Sequence, residues 1–403
     1  MHSSQHKQLP PRRVCSLAAG GRGIRLVLGL DMMRIICMIP TMSAPGGAER
    51  IMSYLVSYLA ERHEVALLTL DQPGVPTFYS VPSTVRQIRL GKLGGEGVRR
   101  LLRVLSRPGR IRREVRASAP DVIISFMDTM NITVLLSCVG LGLPVVVSER
   151  TDPSLRRISQ FKVVLRDYFY LLARFVVVQT ARAADYFESS LGKRIQIIGN
   201  PVPCVPLAAR PEWPNPQGRM RIVSVGRCEW YKRLDQLIDA FASVAQRWPE
   251  WDLLIIGDGP ERETLKALVR HHRLEDRIRL PGTTTDIFRE LAASHLMAFP
   301  SQYEGFPNAL AEGLGVGLPA IGRRGVSGVE DLIIDGKTGL LFDSERGTTA
   351  LADALSELMG NAQRRQEFGN AARRHILQWA QSHILRRWED MLVEAVGGRS
   401  ITH

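Results

Sequence analysis

The feature that most constrains this chain is an alternation of short apolar runs with longer segments of helical periodicity. The runs around Ile35-Ile36-Cys37, Val122-Ile123-Ile124, Val145-Val146-Val147, Val176-Val177-Val178 and Ile197-Ile198 are continuously apolar, as strands buried on both faces require. Between them lie segments such as 51–62, whose apolar residues recur at helical spacing. Strand and helix in alternation predict βαβ units on a parallel sheet. The stretch 201–218 then holds six prolines in eighteen residues, so neither a helix nor a central strand can run through it. Beyond it the alternation restarts at Arg221 and continues through Leu253-Leu254-Ile255-Ile256, Leu296 to Phe299 and Leu318 to Ile321. The expectation is an α/β protein with two doubly wound parallel-sheet domains, 32–200 and 219–375, joined by a linker at 201–218. A final helical stretch, 376–403, is expected to pack back on the first domain.

In open sheets of this kind, ligands bind outside the carboxyl ends of the strands, and two such edges can face each other across a cleft. The most informative strand end is Glu304-Gly305-Phe306-Pro307-Asn308-Ala309-Leu310-Ala311-Glu312. It reads as a tight turn carrying one carboxylate, followed by a helix that begins near Pro307 and carries the second. The N–H groups at such a helix start suit a phosphate, and two nearby carboxylates suit sugar hydroxyls. A strand-turn-helix with solvated glutamates fits these nine residues equally well. Two other strand ends bear on the choice. Gly226-Arg227 and Lys232 place two cations where a diphosphate can be clamped, against the alternative of a solvated basic loop. The Gly46-Gly47 pair lets backbone N–H groups approach a ligand before a helix begins. Gly257 and Gly282 sit at further strand ends and fit either turns or exposed backbone beside a nucleobase.

At 403 residues the chain is long for a single core, in keeping with two domains. No apolar run reaches the roughly 18 residues of a spanning helix. The net charge of +13 points to an anionic partner without choosing among nucleic acid, lipid headgroup and phosphorylated substrate. The five cysteines are scattered, with no metal or redox spacing, which predicts a reducing compartment. No Asp-x-Asp pair or histidine cluster predicts a metal. Residues 1–31 are expected to be a disordered tail or an extension upstream of a start at Met32 or Met33.

Together these motifs resemble the retaining GT-B glycosyltransferases of family 4, from Arg34 to about Val396. The second half carries the family's linked features in order: Gly226-Arg227 with Lys232, Gly257-Asp258-Gly259-Pro260, Gly282, the two glutamates, and Gly336-Lys337-Thr338-Gly339. The resemblance implies two Rossmann-like domains, the first on the acceptor side and the second binding the donor. It implies that Arg227 and Lys232 hold the donor diphosphate, that Glu304 contacts the transferred sugar and that Glu312 binds the ribose. Gly305, Phe306, Asn308 and Ala309 would complete the donor pocket, with Gly46 and Gly47 approaching from the other domain.

The first half is most similar to bacterial transferases that extend polyprenyl-diphosphate-linked glycans, including GalNAc transferases, through Ser125-Phe126-Met127-Asp128-Thr129-Met130-Asn131 and Val147-Ser148-Glu149-Arg150-Thr151-Asp152-Pro153. Many members carry a histidine after the strand ending near Ser148, where this chain has Glu149-Arg150. Glu149, Arg150 and Asp128 are therefore candidates for that position's work, with Asn131 beside them on the acceptor side. The implied reaction moves a hexose or N-acetylhexosamine from a UDP- or GDP-linked donor, with retention and without cofactor or metal. The implied location is the cytoplasmic face of the inner membrane.

Residues 98–116 hold eight arginines and one glutamate, interrupted at Pro108-Gly109. They predict two short basic amphipathic helices, either resting on anionic lipid or presenting solvated faces. A nucleic-acid-binding protein is the rival from another class, but no recognised motif or run of stacking aromatics supports it. No nucleic-acid partner is expected. A nucleotide-sugar epimerase is the rival enzyme on the same architecture.

Overall fold

The computed structural model describes residues 26–27, 30–91, 97–151, 153 and 159–397. The tail expected at 1–31 lies largely outside them, as does Asp152. Leu26–Val27 (β1) and Leu30–Asp31 (β2) pair antiparallel and form a small unit of their own.

From Met33 onward two parallel sheets carry the chain. The first contains Arg34–Met38 (β3), Glu64–Thr69 (β4), Arg86–Arg89 (β5), Val122–Phe126 (β6), Val145–Ser148 (β7), Phe175–Val178 (β8) and Ile195–Ile197 (β9), in the order β5-β4-β3-β6-β7-β8-β9. The second contains Met220–Val225 (β10), Trp251–Ile256 (β11), Ile278–Gly282 (β12), Leu296–Phe299 (β13), Ala320–Arg323 (β14) and Gly339–Phe342 (β15), in the order β12-β11-β10-β13-β14-β15. Both are doubly wound Rossmann-like sheets. The strand order reverses beside β3 and beside β10, so each sheet has a switch point there. Residues 203–219 between the sheets contain no strand or helix, as their prolines dictate.

Each sheet is covered on both faces. Ile35, Cys37, Ile124 and Val177 face one apolar layer of the first sheet, while Ile36, Met38, Ile123 and Val176 face the other. The side chains alternate because strand periodicity is two. The last helix, Gln381–Gly397, does not stay with the second sheet. Ile384, Leu385, Trp388, Met391 and Leu392 join the layer over β3 and β6, with the Trp388 ring 5.7 Å from Phe126.

The basic segment corrects one expectation. Gly97–Ser118 is a single helix with Pro108 inside it, not two helices broken at Pro108-Gly109. Ile111 and Val115 in its second half are buried against the sheet, and that tertiary packing outweighs the local cost of the proline. Arg112 donates to the Ser137 and Val139 carbonyls at 2.9 and 2.7 Å, and Arg110 to the Leu90 carbonyl, so this half of the helix is tied to the protein. Arg99, Arg100 and Arg103 lie outside the residues whose side chains are described. No helix among the described residues is long and apolar enough to cross a membrane.

Candidate active site

At the switch point of the second sheet, the loop after β10 meets the loop after β13. Gln302 donates its backbone N–H to the Tyr231 carbonyl at 2.8 Å, and the Tyr231 and Tyr303 rings stack with centroids 4.6 Å apart. The Lys232 ammonium pairs with the Glu304 carboxylate across this junction. Their side chains are 14% and 13% exposed, and Lys232 also lies 5.3 Å from the Phe299 ring. A cation and a carboxylate are thus held in a largely desolvated corner, where each acts on a ligand more strongly than in water. Arg227, on the same loop, is mostly exposed and pairs with Glu229 at 3.1 Å. Arg323 pins the floor of the corner, donating to the Pro300 carbonyl at 2.9 Å and to Gln236.

Three strand-end turns form the adjoining wall. The Gly226 N–H bonds the Ile256 carbonyl at 3.0 Å and the Gly257 N–H bonds the Gly282 carbonyl at 2.8 Å. Gly257 has φ +148°, and a Cβ there would stand 1.8 Å from the Gly226 carbonyl oxygen. Only glycine lets these turns close on one another.

The helix Asn308–Gly315 starts directly after this corner in the chain, and no side chain caps its first N–H groups, which have no partner within the helix. Its start is met by the first sheet's strand ends. A Cβ on Gly47 would lie 3.0 Å from the Asn308 amide nitrogen, so the Gly46-Gly47 turn opening the helix Gly47–Leu59 approaches the helix start of the other sheet. Asp71 shapes that turn by accepting from Thr41, from the Met42 N–H at 2.7 Å and from Ser43 at 3.0 Å. Burial raises the Asp71 pKa, but these hydrogen bonds outweigh it and hold the group below the ordinary carboxylate range.

Gly305 shows how close the two sheets' loops come. A Cβ there would stand 2.8 Å from Gln179 and 3.0 Å from the Arg150 carbonyl oxygen. Phe306 is buried against Trp379, with ring centroids 6.0 Å apart, and Ala309 is half-buried in the first turn of the helix. Arg150 donates to Asn200, and Asn200 donates to Asn308 at 2.7 Å, which links the end of β7 to the helix start. The Arg150 guanidinium lies 4.6 Å over the Phe126 ring, and burial pushes its pKa down to about 9.

Glu312 is buried, and its carboxylate meets Arg50 of the helix Gly47–Leu59 at 2.5 Å. Burial raises the Glu312 pKa and Arg50 opposes the rise. Glu149 turns inward: Tyr170 donates to it at 2.9 Å and Thr151 at 3.3 Å. Asn131 donates to Tyr170 at 2.9 Å and to the Ser148 carbonyl at 3.0 Å, so Asn131, Tyr170 and Glu149 form one buried network behind the strand end. The Tyr170 pKa is raised by burial and further by Glu149. Asp128, also buried, accepts from the Thr129 N–H at 2.7 Å.

The arrangement therefore gathers Lys232, Glu304, the helix start and the Gly46-Gly47 turn at one place, with Arg150 reaching them through Asn200. Glu149 and Asn131 stand behind it. Arg50, Asp71, Asn200 and Arg323 are the members that motif reading missed. The only local signal was for Arg50, which follows Gly46-Gly47 by one helical turn. Chemically, the corner can neutralise a diphosphate through Lys232, Arg227 and helix N–H groups, and can present a carboxylate to a sugar.

Residues 45–205 match the Glycosyltransferase Family 4 domain, and residues 208–375 match Glycosyl transferases group 1. A lipopolysaccharide core biosynthesis glycosyltransferase of Rhizobium meliloti is 30% identical, with 69% of this chain and 75% of that protein covered. A Campylobacter jejuni α-1,4-N-acetyl-D-galactosaminyltransferase, named for a diNAcBac-PP-undecaprenol-linked GalNAc substrate, is 25% identical over 90% of this chain and 99% of its own. An exopolysaccharide phosphotransferase of Streptomyces coelicolor is 27% identical over 91% of this chain, which spans 41% of that protein's length. Among solved structures, Anabaena HepE in complex with UDP and glucose has a TM-score of 0.72 at 17% identity, covering 90% of this chain and 100% of that one. At that identity the likeness shows the fold, which is GT-B.

Proposed function

This chain belongs to the glycosyltransferases, with a family 4 domain followed by a group 1 domain, and from that membership we propose that it transfers a hexose or N-acetylhexosamine from a nucleoside-diphosphate sugar, with retention, to a glycan carried on a polyprenyl diphosphate. The observation that carries this reading is the Lys232–Glu304 pair, placed at the switch point of the second sheet just ahead of the helix start that the Gly46-Gly47 turn of the first approaches. UDP is the favoured nucleotide, because HepE is described with UDP and glucose. The lipid-linked acceptor is favoured by the Campylobacter relative.

In this reading Lys232, Arg227 and the N-terminus of the helix Asn308–Gly315 receive the diphosphate without a metal. Glu304 exchanges its bond with Lys232 for a hydroxyl of the transferred sugar. Glu312 takes the ribose hydroxyls once the Arg50 guanidinium shares or releases it. The bond from the anomeric carbon to the phosphate oxygen breaks, the acceptor oxygen bonds that carbon on the same face, and the acceptor's proton passes to the departing phosphate. Positive charge fixed in place stabilises the leaving group, and loss of one such donor costs about 10²–10³ in rate. Arg150 positions Asn200 and through it the helix start, while Asp128 lies towards the acceptor. The protein works at the cytoplasmic face of the inner membrane.

The test incubates purified full-length protein with a panel of UDP- and GDP-sugars, with and without polyprenyl-diphosphate-linked glycan, in EDTA and with added magnesium. The expected result is acceptor-dependent release of UDP and a lengthened lipid-linked glycan, unaffected by EDTA. Release of an altered sugar without acceptor would overturn the transferase reading in favour of an epimerase.

A further inference from the structure

The helix Gln160–Tyr170 buries Tyr170 in the core, yet it and the turn after it also carry an apolar stripe on the outer face. Phe161, Val164 and Tyr168 are 75%, 66% and 66% exposed, and Leu171 and Leu172 continue the same stripe into the following turn. At 100° per residue these five positions fall within about a third of the helix circumference. One charged residue of the helix, Arg166, is instead inside. Arg166 is 2% exposed, lies 5.0 Å from both the Tyr186 and Phe187 rings, and donates to the Tyr186 hydroxyl at 2.8 Å. Arg166 also pairs with Asp167 at 2.8 Å, so the helix's one carboxylate is already neutralised. A contiguous apolar stripe left exposed beside a core-packed face marks a surface for a partner.

The surroundings identify that partner by charge. Lys162 flanks the stripe near its start. At the other end, Leu171, Leu172, Leu143, Pro144, Arg174 and Arg194 line a shallow depression of about 340 Å³, in which Arg194 donates to the Leu171 carbonyl. Both arginines and the neighbouring Lys193 are exposed. Asp185 and Glu188 lie on the adjacent helix Ala181–Leu191, so the cationic end of the stripe is the one at Arg174 and Arg194. A second copy brought face to face would set like charges against each other. A phosphate surface with acyl chains beneath it matches both the cations and the apolar side chains.

We propose that this stripe docks the protein on an anionic phospholipid bilayer, with Phe161, Val164, Tyr168, Leu171 and Leu172 entering the headgroup–acyl boundary and Arg174 and Arg194 holding lipid phosphates. The inference deepens the proposed function and rests on it for its purpose. In the chain the helix is the next element after β7, whose end carries Glu149-Arg150. The proposed docking also relocates membrane contact away from the arginine-rich helix Gly97–Ser118.

The experiment sediments the full-length protein with phosphatidylglycerol–phosphatidylethanolamine vesicles, and with phosphatidylcholine vesicles as the uncharged control, with no sugar donor or acceptor present. The protein should pellet with the anionic vesicles and be released by salt. The F161S/V164S/Y168S variant should lose at least about tenfold in partitioning. The R174Q/R194Q variant should lose about fivefold per arginine and show a flatter salt dependence. The F161S/V164S/Y168S variant should keep the wild-type Tm, because its altered side chains are exposed, whereas R174Q/R194Q also loses the Arg194 bond to the Leu171 carbonyl and is compared after circular dichroism shows it folded. Anionic-vesicle binding by both variants equal to wild type would overturn the proposal. So would loss of binding in R99Q/R100Q/R103Q/R107Q with the stripe variants unaffected, or a self-association that F161S/V164S/Y168S abolishes while vesicle binding stays. Vesicle binding as expected with no sugar transfer in any assay would sink the transferase reading and leave the docking surface standing.

Discussion

Arg50, in the first turns of the helix Gly47–Leu59, meets Glu312, on the helix Asn308–Gly315, at 2.5 Å, joining the first sheet's switch-point helix to the corresponding helix of the second. The glutamate that motif reading assigns to the nucleotide is therefore also a bond between the two halves. In the proposed reading, donor binding and the relation of the halves share one carboxylate.

Arg50→Met should destabilise the protein by about 3 kcal/mol at neutral pH, because it leaves a buried carboxylate unpaired. Burial already holds the Glu312 pKa above its unfolded value, and removing Arg50 raises it further. A raised carboxyl binds more protons folded than unfolded, so its contribution to stability falls as pH rises from the unfolded pKa through the folded one. The Tm difference between variant and wild type should accordingly shrink as pH is lowered through that window. A difference independent of pH between 4 and 8 (about the range a carboxylate samples) would refute the assignment.

The two glutamates and Lys232 should give separable defects. Glu304→Gln should bind UDP like wild type and lose turnover, whereas Glu312→Gln should bind UDP more weakly, since an amide accepts hydroxyl bonds less strongly than a carboxylate. Lys232→Met should weaken UDP binding and lower turnover by about 10²–10³. Calorimetric titration with UDP beside initial rates distinguishes them. Equal losses of UDP affinity in both glutamate variants would show the division of roles to be wrong.

Trp388→Ala should cost about 3–5 kcal/mol, because a large side chain leaves the core over β3 and β6. Chain termination after Asn370, which removes the whole helix Gln381–Gly397, should lower Tm further and expose Phe126. A truncated protein that melts like the intact one would contradict the docking.

Tyr170→Phe removes the donor at 2.9 Å from Glu149 and should destabilise by about 1–3 kcal/mol. The loss should appear as a lower urea midpoint with an unchanged slope. Full stability in this variant would mean that the buried network around Asn131 and Glu149 repacks.

Most strands and helices are legible in the chain: the apolar runs, the proline stretch 201–218 and the turn chemistry at Gly46-Gly47, Gly257 and Gly282 are local patterns, and periodicity with backbone sterics suffices to read them. The same patterns also placed Glu304 and Lys232 at strand ends, because that follows from where the runs stop. The partners of these groups come from the packed fold. Arg50 and Glu312 are far apart in the chain, as are Arg150, Asn200 and Asn308, and no local pattern encodes which polar group a strand end will meet. Packing also overruled local signals, carrying one helix through Pro108 where Ile111 and Val115 are buried, and burying Arg166 of the helix Gln160–Tyr170 against the aromatic rings and the Tyr186 hydroxyl of the adjacent helix. In both cases the free energy of burial depends on neighbours that sequence spacing does not specify.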